Sequence, residues 1–355
     1  MPIRSPPNPC TSSSCHRRPG RHEAARRPPP RPDRLRCMPA NPVPRRAAPM
    51  RCLLIANPTS GRGAGLKAVD PVCRALTDAG VTFEAVVTQR PWHAAELAAA
   101  AGSQGWGAVV AVGGDGTANE VLNGLMQVPI ARRPAMGIIP VGRGNDFAFG
   151  VGVPHGIAAA LPLVIAGRTR RIDVGKVTGG LYPQGRYFGN GIGIGFDAVV
   201  GFEALKLAPL SGFASYIVAA LKTISLYDRG PRLRIELDDR TMVQETLMVS
   251  VMNGRRLGGG FHIAPKGDPG DGLFDVCIAG QVTRMRILSL ITHFLKGDQE
   301  GQPSITMLRA QRVHVTAEVG TLPAHADGET LCVDGHELLA EIVPAQIEVL
   351  NGAGA

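Results

Sequence analysis

Residues 108–125 read AVVAVGGDGTANEVLNGL, and how this stretch folds decides the architecture. Ala108–Val112 is an unbroken apolar run closed by glycine, the length and composition of a buried strand. Ala118–Met126 sets Val121, Leu122, Leu125 and Met126 on one side of a helix. Between them Gly113, Gly114, Asp115, Gly116 and Thr117 form a glycine-rich strand-to-helix turn. The same alternation extends both ways. Upstream, Cys52–Ala56 is a strand, Asp70-Pro71 supplies an N-cap and first-turn pair for a helix ending near Ala79, Thr82–Val87 is a strand, and Trp92–Ala101 is an alanine-rich helix. Downstream, Ala135–Ile139 is a fourth strand. Strands alternating with helices imply right-handed crossovers and a mainly parallel sheet.

Beyond Arg171 the texture changes to strand-like runs separated by Gly, Pro and Asp, including Arg232–Leu237, Leu247–Met252, Gly272–Ile278 and Val313–Ala317. Amphipathic helices interrupt them around Ser215–Ser225 and Arg284–Leu295. At 355 residues the chain exceeds the size at which one core stops growing. The expected division is a tail over 1–49, an α/β domain over 50–175, a largely antiparallel β-rich domain over 176–345, and a terminal strand in 346–355 that fits either domain.

The net charge of +9 suggests nucleic acid or anionic lipid until it is divided along the chain. Residues 1–50 hold eleven arginines against Glu23 and Asp33, and the remaining residues balance. A nucleic-acid partner is not expected. The tail carries 13 of the 29 prolines, buries no periodic apolar face and is expected to be disordered. Met50 stands directly before the first strand, so residues 1–49 read either as an upstream extension from a misplaced start codon or as a polybasic arm for anionic lipid. Cys10, Cys15 and Cys37 lie in the tail; Cys52, Cys73, Cys277 and Cys332 are scattered among apolar residues without metal-ligand spacing and read as reduced, in a cytoplasmic protein. No run approaches the ~20 apolar residues needed to span a bilayer.

In an open parallel sheet a ligand sits beyond the carboxyl ends of the strands, so the loops there should converge. The first is Asn57, Pro58, Thr59, Ser60 and Gly61. The second, Gly113–Thr117, runs into a helix whose free amides suit phosphate oxygens. Asp115 would repel phosphate unless a divalent cation intervened, which points to Mg²⁺-nucleotide and phosphoryl transfer. The third runs from Pro140 to Phe147: Arg143 could face phosphate, while Asn145 and Asp146 could cap the following turn or grip a substrate hydroxyl. There is no Walker-type loop. Asp268, Asp271 and Asp275 are either turn residues before a strand or, through Asp271 and nearby carbonyls, a cation site. Asp327-Gly328-Glu329 is another acidic turn.

Taken in order, these segments resemble the diacylglycerol kinase catalytic family, specifically the bacterial lipid kinases similar to sphingosine and ceramide kinases. The matching stretches are NPTSG (57–61), GGDGTANEVLNGL (113–125), IPVGRGNDFA (139–148), RRIDVGKV (170–177), FGNGIGIGFDA (188–198), GGGFHIAPKGDPGDGLFDV (258–276) and DGE (327–329). The GGDGT segment alone is shared with NAD kinases and resembles phosphofructokinases; the series is specific. The resemblance implies an α/β domain with a phosphofructokinase- and NAD-kinase-like parallel sheet, a β-sandwich-like lipid domain, and ATP in the cleft between. It implies ATP contacts at Asn57–Gly61, at Thr88 and across Gly113, Gly114, Asp115, Gly116, Thr117, Ala118 and Asn119, with Arg143 beside the phosphates. It implies a Mg²⁺ site at Asp271 with the carbonyls of Asp268 and Leu273, and a proton acceptor at Glu329, with Asp327 adjacent and sharing the role. Arg143 stands where the family more often has Thr or Ser, and Asp268 where it more often supplies only a carbonyl.

The expected function is an ATP-dependent lipid kinase in which Mg²⁺ near Asp115 bridges the phosphates, Glu329 or Asp327 takes the proton, and Asp146 places the lipid hydroxyl. The partner is a lipid at the inner membrane face, met peripherally, and a homodimer is the expected assembly, although no residue pattern speaks to oligomeric state. The rival readings are a NAD kinase or other kinase of a soluble substrate, against which GGGF and DGE speak, and a catalytically silent lipid-binding module.

Overall fold

The computed structural model describes residues 50–207, 213–226 and 229–352. The expectations for residues 1–49 fall outside them. The chain opens as β1 (Cys52–Ala56), α1 (Ser60–Asp78), β2 (Phe83–Val87), α2 (His93–Ala101), β3 (Ala108–Gly113), α3 (Asp115–Met126), β4 (Ala135–Pro140), α4 (Asp146–Gly150) and α5 (Ile157–Ala166). The first four strands pair in parallel in the order β2-β1-β3-β4. Alternate residues of each strand point to opposite faces. Leu53, Ile55, Val109 and Ala111 pack with Ala98, Val121 and Leu125 of α2 and α3, whereas Cys52, Leu54, Val110 and Val112 pack with Val72, Leu76, Leu161 and Val164 of α1 and α5. Both faces of β1, β3 and β4 are covered, which is why those strands are apolar throughout, whereas the edge strand β2 carries Glu84 and stays partly exposed.

The α1 segment starts ten residues before the Asp70-Pro71 pair expected to open it, its regular helix follows the left-handed Gly61, Arg62 and Gly63, and Pro71 lies inside it. Gly65, Ala68, Val72 and Leu76 form one buried stripe through Pro71. That continuous stripe outweighs the local capping signal.

The second lobe comprises β5 (Thr169–Gly179), β6 (Tyr182–Phe188), β7 (Gly191–Gly195), α6 (Phe196–Lys206), α7 (Phe213–Leu226), β8 (Arg232–Leu237), β9 (Arg240–Met252), β10 (Phe274–Gly280), α8 (Arg284–Lys296), β11 (Ile305–Ala310), β12 (Arg312–Val319), β13 (Leu322–Ala326), β14 (Glu329–Gly335) and β15 (Glu337–Leu350). It is an antiparallel sandwich. The start of β9 pairs with β8 and its end with β7 and β10, so one strand serves both layers. Ile192, Ile194, Val249, Val251, Val276 and Ile278 face Leu233, Ile235, Val313 and Val315 across the interior. On the outer face of the β7-β9-β10 layer, Met248, Met252 and Cys277 pack against Val200, Leu290 and Phe294 of α6 and α8.

The lobes share strands. β5 runs through position 175, and β15 runs through position 345, pairing with β12 and β5 before Val349 reaches Met136 of β4. Its bulge between Val343 and Ile347 is held by Asp173, whose Oδ1 accepts from the Ala345 amide at 2.7 Å and whose Oδ2 accepts from that of Gly272 at 2.7 Å. Cys52, Cys73, Cys277 and Cys332 are free thiols. Among the described residues no helix is long and apolar enough to cross a membrane.

Candidate active site

Three loops at the carboxyl ends of β1, β3 and β4 meet in one cleft. The first is set by Asn57, whose Oδ1 accepts from the Thr59 amide at 3.0 Å and hydroxyl at 2.9 Å, a side-chain-closed turn. Gly61, Arg62 and Gly63 follow in left-handed conformation. Ser60 Oγ accepts from the Gly114 amide at 3.0 Å and joins the first loop to the second. The second and third loops touch through backbone: a Cβ on Gly142 would lie 2.4 Å from Gly114 Cα. At Gly114 and Gly142 the close approach is of the two backbones to each other.

Asp115, expected beside Mg²⁺ and phosphate, sits in the first turn of α3 and accepts from the amides of Asn145 at 2.7 Å and Phe147 at 3.1 Å. It thereby caps α4 across the gap between the loops. Burial pushes its carboxyl up, against the pull of those amides and with Asp327 adding to the rise. Asp146 accepts from Arg256 Nε at 2.9 Å and from the Gly259 amide at 3.0 Å, which ties the third loop to the second lobe. Burial, and then the Asp115 charge, raise it to about 7. Asn145 is spent internally: its side chain pairs with the backbone N–H and C=O of Gly142, and it does not reach the cleft.

The acidic turn separates two carboxylates two residues apart. Asp327 is buried and accepts from four donors, the amides of Gly189 (2.8 Å), Asn190 (3.0 Å) and Gly191 (3.0 Å) and Nδ2 of Asn119 (2.8 Å). Glu329 is exposed, and its carboxylate makes no hydrogen bond among the described residues. Its Oε1 lies 3.4 Å from where a Cβ on Gly116 would stand, over the start of α3.

Two cavities share this cleft. The first, of about 630 Å³, runs from Ser60, Asp115 and Arg143 into an apolar chamber walled by α6, α7 and α8. The second, about 430 Å³, lies between Pro58, Thr88, Trp92 and Thr117. Asn57, Thr59 and Glu329 line both. Thr117 Oγ1 is buried there without a partner.

Of the expected nucleotide residues, Asn57, Pro58, Thr59, Ser60, Gly61, Thr88, Gly114, Asp115, Gly116, Thr117 and Arg143 therefore line the cleft. Gly113, Ala118 and Asn119 do not. Ala118 packs in the core, and Asn119 Oδ1 accepts from Arg186 at 2.7 Å while its amide holds Asp327. Asp268, Asp271 and Leu273 also lie off the cleft. Asp268 is bonded to Arg170 and closes a turn onto the Gly270 amide; Asp271 is bonded to Arg309 and accepts from the Leu273 amide at 3.1 Å. Those carboxylates are already matched by guanidinium, so they fit a cation poorly, and no cluster of three or more metal-ligating side chains exists among the described residues. Asp115 and Asp146 fit better: both converge on Gly144, where an added Cβ would lie 2.9 Å and 3.3 Å from their oxygens, and the charge they concentrate is what a cation relieves.

Sequence reasoning missed Arg186 and Arg256. Arg186 stacks on Trp92 and Tyr182 beside the second cavity, and Arg256 stacks on Phe149 while donating to Asp146 and to the Gly144 carbonyl. Neither sits in a motif; only their distant partners mark them.

Residues 51–177 match the model of the diacylglycerol kinase catalytic domain, and residues 190–351 that of the YegS C-terminal NAD kinase beta sandwich-like domain. A diacylglycerol kinase of Mycobacterium tuberculosis is 33% identical over 299 residues, 84% of this chain and 94% of that protein. The chain belongs to the diacylglycerol kinase catalytic-domain family. A diacylglycerol kinase of Bacillus subtilis is 31% identical, over 79% of this chain and 89% of that protein, and a YegS-like lipid kinase of Chromohalobacter salexigens is 31% identical, over 76% and 85%. The crystal structure of a diacylglycerol kinase from Bacillus anthracis superposes with a TM-score of 0.65 over 85% of this chain and 96% of that one at 23% identity, which shows the fold. Membership of this family makes the protein a kinase.

Proposed function

We propose that the protein transfers the γ-phosphoryl group of ATP to a hydroxyl of a lipid. The observation that carries this reading is the junction at Glu329: a glycine-loop cleft and an apolar chamber open onto one unpartnered carboxylate. The nucleotide would lie along Asn57–Gly61 and the start of α3, whose first-turn amides would face phosphate oxygens. The lipid body would fill the chamber between α6, α7 and α8 and present its hydroxyl at Glu329.

Glu329 would accept the hydroxyl proton as the oxygen bonds to the γ-phosphorus and the bond to the β-phosphate oxygen breaks, releasing ADP. Asp327 cannot share this role, since its lone pairs are engaged by four N–H donors. Asp115 holds the second and third loops in register, and Asp146 fixes the third loop to the second lobe. Arg143, exposed at the cleft, would meet phosphate. Mg²⁺ would enter with the nucleotide beside Asp115 and Asp146 and neutralise charge on the phosphate oxygens. Contact with the membrane would be peripheral, at its inner face.

The test is transfer of label from γ-labelled ATP, with Mg²⁺, to diacylglycerol and sphingolipid acceptors in detergent micelles, beside NAD and sugars in solution. A labelled lipid is expected. Label only in a soluble acceptor would replace this reading with that of a soluble-substrate kinase.

A further inference from the structure

We propose that the outer face of α7, carrying Val218, Leu221 and Lys222, together with the first turn of α8, is the surface on which the protein docks to a bilayer containing acidic lipids. The inference takes its partner from the lipid-kinase reading; the surface itself is drawn from residues that the reading does not use.

Helix α7 turns apolar residues to the side that a helix in water keeps polar. Its exposed positions are Ala214, Val218, Leu221, Lys222 and Ser225, one stripe at helical spacing. Val218 is 41% and Leu221 50% exposed. The side against the protein holds Ala219, Ala220 and Ile224 but also Ser215 and Thr223, and Thr223 Oγ1 is buried there without a partner. Apolar residues exposed singly are ordinary. Two on successive turns of one helix, with a hydroxyl buried unsatisfied on its other side, are not what contact with water alone favours.

Helix α8 touches α7 and continues the pattern. The Gly230 amide donates to Gln281 Oε1 at 2.9 Å, so the chain that leaves α7 is tied to the chain that enters α8. In that first turn Met285 is 75% exposed, between Arg284 and Arg286. The two helices together carry Lys222, Arg284, Arg286 and Lys296 and no Asp or Glu, in a folded part whose charges balance. On α6 a single acid, Glu203, accepts from both Lys206 and Lys222 at 2.6 Å, which leaves that group positive. An apolar stripe edged by cations suits an interface where acyl carbon lies beneath acidic head groups. The opposite side of α7 lines the apolar chamber through Tyr216 and Ala220. Hydrocarbon would then lie on both sides of one helix, bilayer outside and acceptor chain inside, and a lipid passing between them would follow α7 without crossing water. That continuity favours a bilayer over a second protein as the occupant.

The experiment follows tryptophan emission of the full chain mixed with vesicles of phosphatidylcholine and phosphatidylglycerol whose acyl chains are brominated, a contact quencher. Leu221→Trp should lose emission relative to the wild-type protein, and Leu66→Trp, at a residue of α1 that is 54% exposed, should not. The basic tail is common to both variants, so attraction through the tail alone cannot produce the difference. In a second arm, Val218→Asp combined with Leu221→Asp should lower transfer to dioleoylglycerol in unbrominated vesicles by about tenfold, the scale of one apolar side chain returned to water. The same variant should keep the wild-type kcat and KM for monomeric dihexanoylglycerol. Equal quenching of the two tryptophans, or of neither, overturns the proposal, as does an aspartate variant that loses both acceptors alike or keeps both. A wild-type dimer that forms without lipid and is dissolved by the two aspartates, read by sedimentation equilibrium, would give the face to a second copy and overturn the proposal as well. Quenching of Leu221→Trp in a protein that labels no lipid would sink the kinase reading and leave the docking face in place.

Discussion

Asp327 and Glu329 show how far apart two neighbouring carboxylates can be in chemistry. A carboxylate with four N–H donors is a structural anion, and removing its charge strands those donors in a buried place. Asp327→Asn should cost at least about 3 kcal/mol of stability in urea denaturation, because an amide NH₂ would face donors where an oxygen stood. Glu329→Gln should leave the denaturation midpoint alone and lower kcat by roughly 10²–10⁴-fold, the range of general-base contributions. Wild-type turnover in Glu329→Gln would remove Glu329 from the mechanism. The motif identified this pair but not its division of labour. The donors to Asp327 come from Gly189–Gly191 and Asn119, the latter 208 residues away. Asp115 is similar: its partner amides, on Asn145 and Phe147, belong to a loop about thirty residues further on. A reading of its own loop alone sees a carboxylate near phosphate and infers a cation.

Among the elements, the catalytic geometry depends on contact between loops rather than on any loop by itself. Gly142→Ala tests this, since its Cβ would sit 2.4 Å from Gly114 Cα and 2.9 Å from Asn145 Oδ1, and no flexible side chain alone can yield. The second and third loops would have to separate. A displacement on the ångström scale at positioning groups can cost about 10²-fold in rate, so kcat/KM should fall by that order while the fold persists. Gly105→Ala is the control: it adds strain at φ 71 but meets nothing within 4 Å, and its kinetics should match wild type. Comparable losses in both variants would mean that backbone strain, not loop contact, is what matters. The strands leading into these loops were legible because burial on both faces makes them uniformly apolar, as in Cys52–Ala56 and Ala108–Val112. The start of α1 was not, because Gly61–Gly63 hide the first turn behind left-handed residues. Nor was β7, whose alternating glycines carry no strand propensity and gain their purpose only from what occupies the space above them.

At the scale of the whole molecule the two lobes differ in texture but not in independence. The change of sequence pattern near Arg171 marks a real shift from parallel to antiparallel pairing, yet β5 and β15 run through both parts. β15 reads as an ordinary terminal strand because register is a property of pairs, and its pairing with Met136 lies more than 200 residues away in sequence. Its last residues bury Ile347, Val349 and Leu350 almost completely, in the cores of the first lobe. At about 1.5–3 kcal/mol for each buried aliphatic side chain, they contribute roughly 5–9 kcal/mol. That is comparable to the whole stability of a typical domain, about 5–15 kcal/mol. A chain ending at Ala345 should therefore lose the nucleotide lobe, and because the lobes share β5 it should lose the sandwich with it. Calorimetry of the intact chain should show one cooperative transition, and the shortened chain none. Two separate transitions in the intact chain, or a surviving sandwich transition in the shortened one, would show that the shared strands do not couple the lobes and that the cleft between them can open without unfolding either.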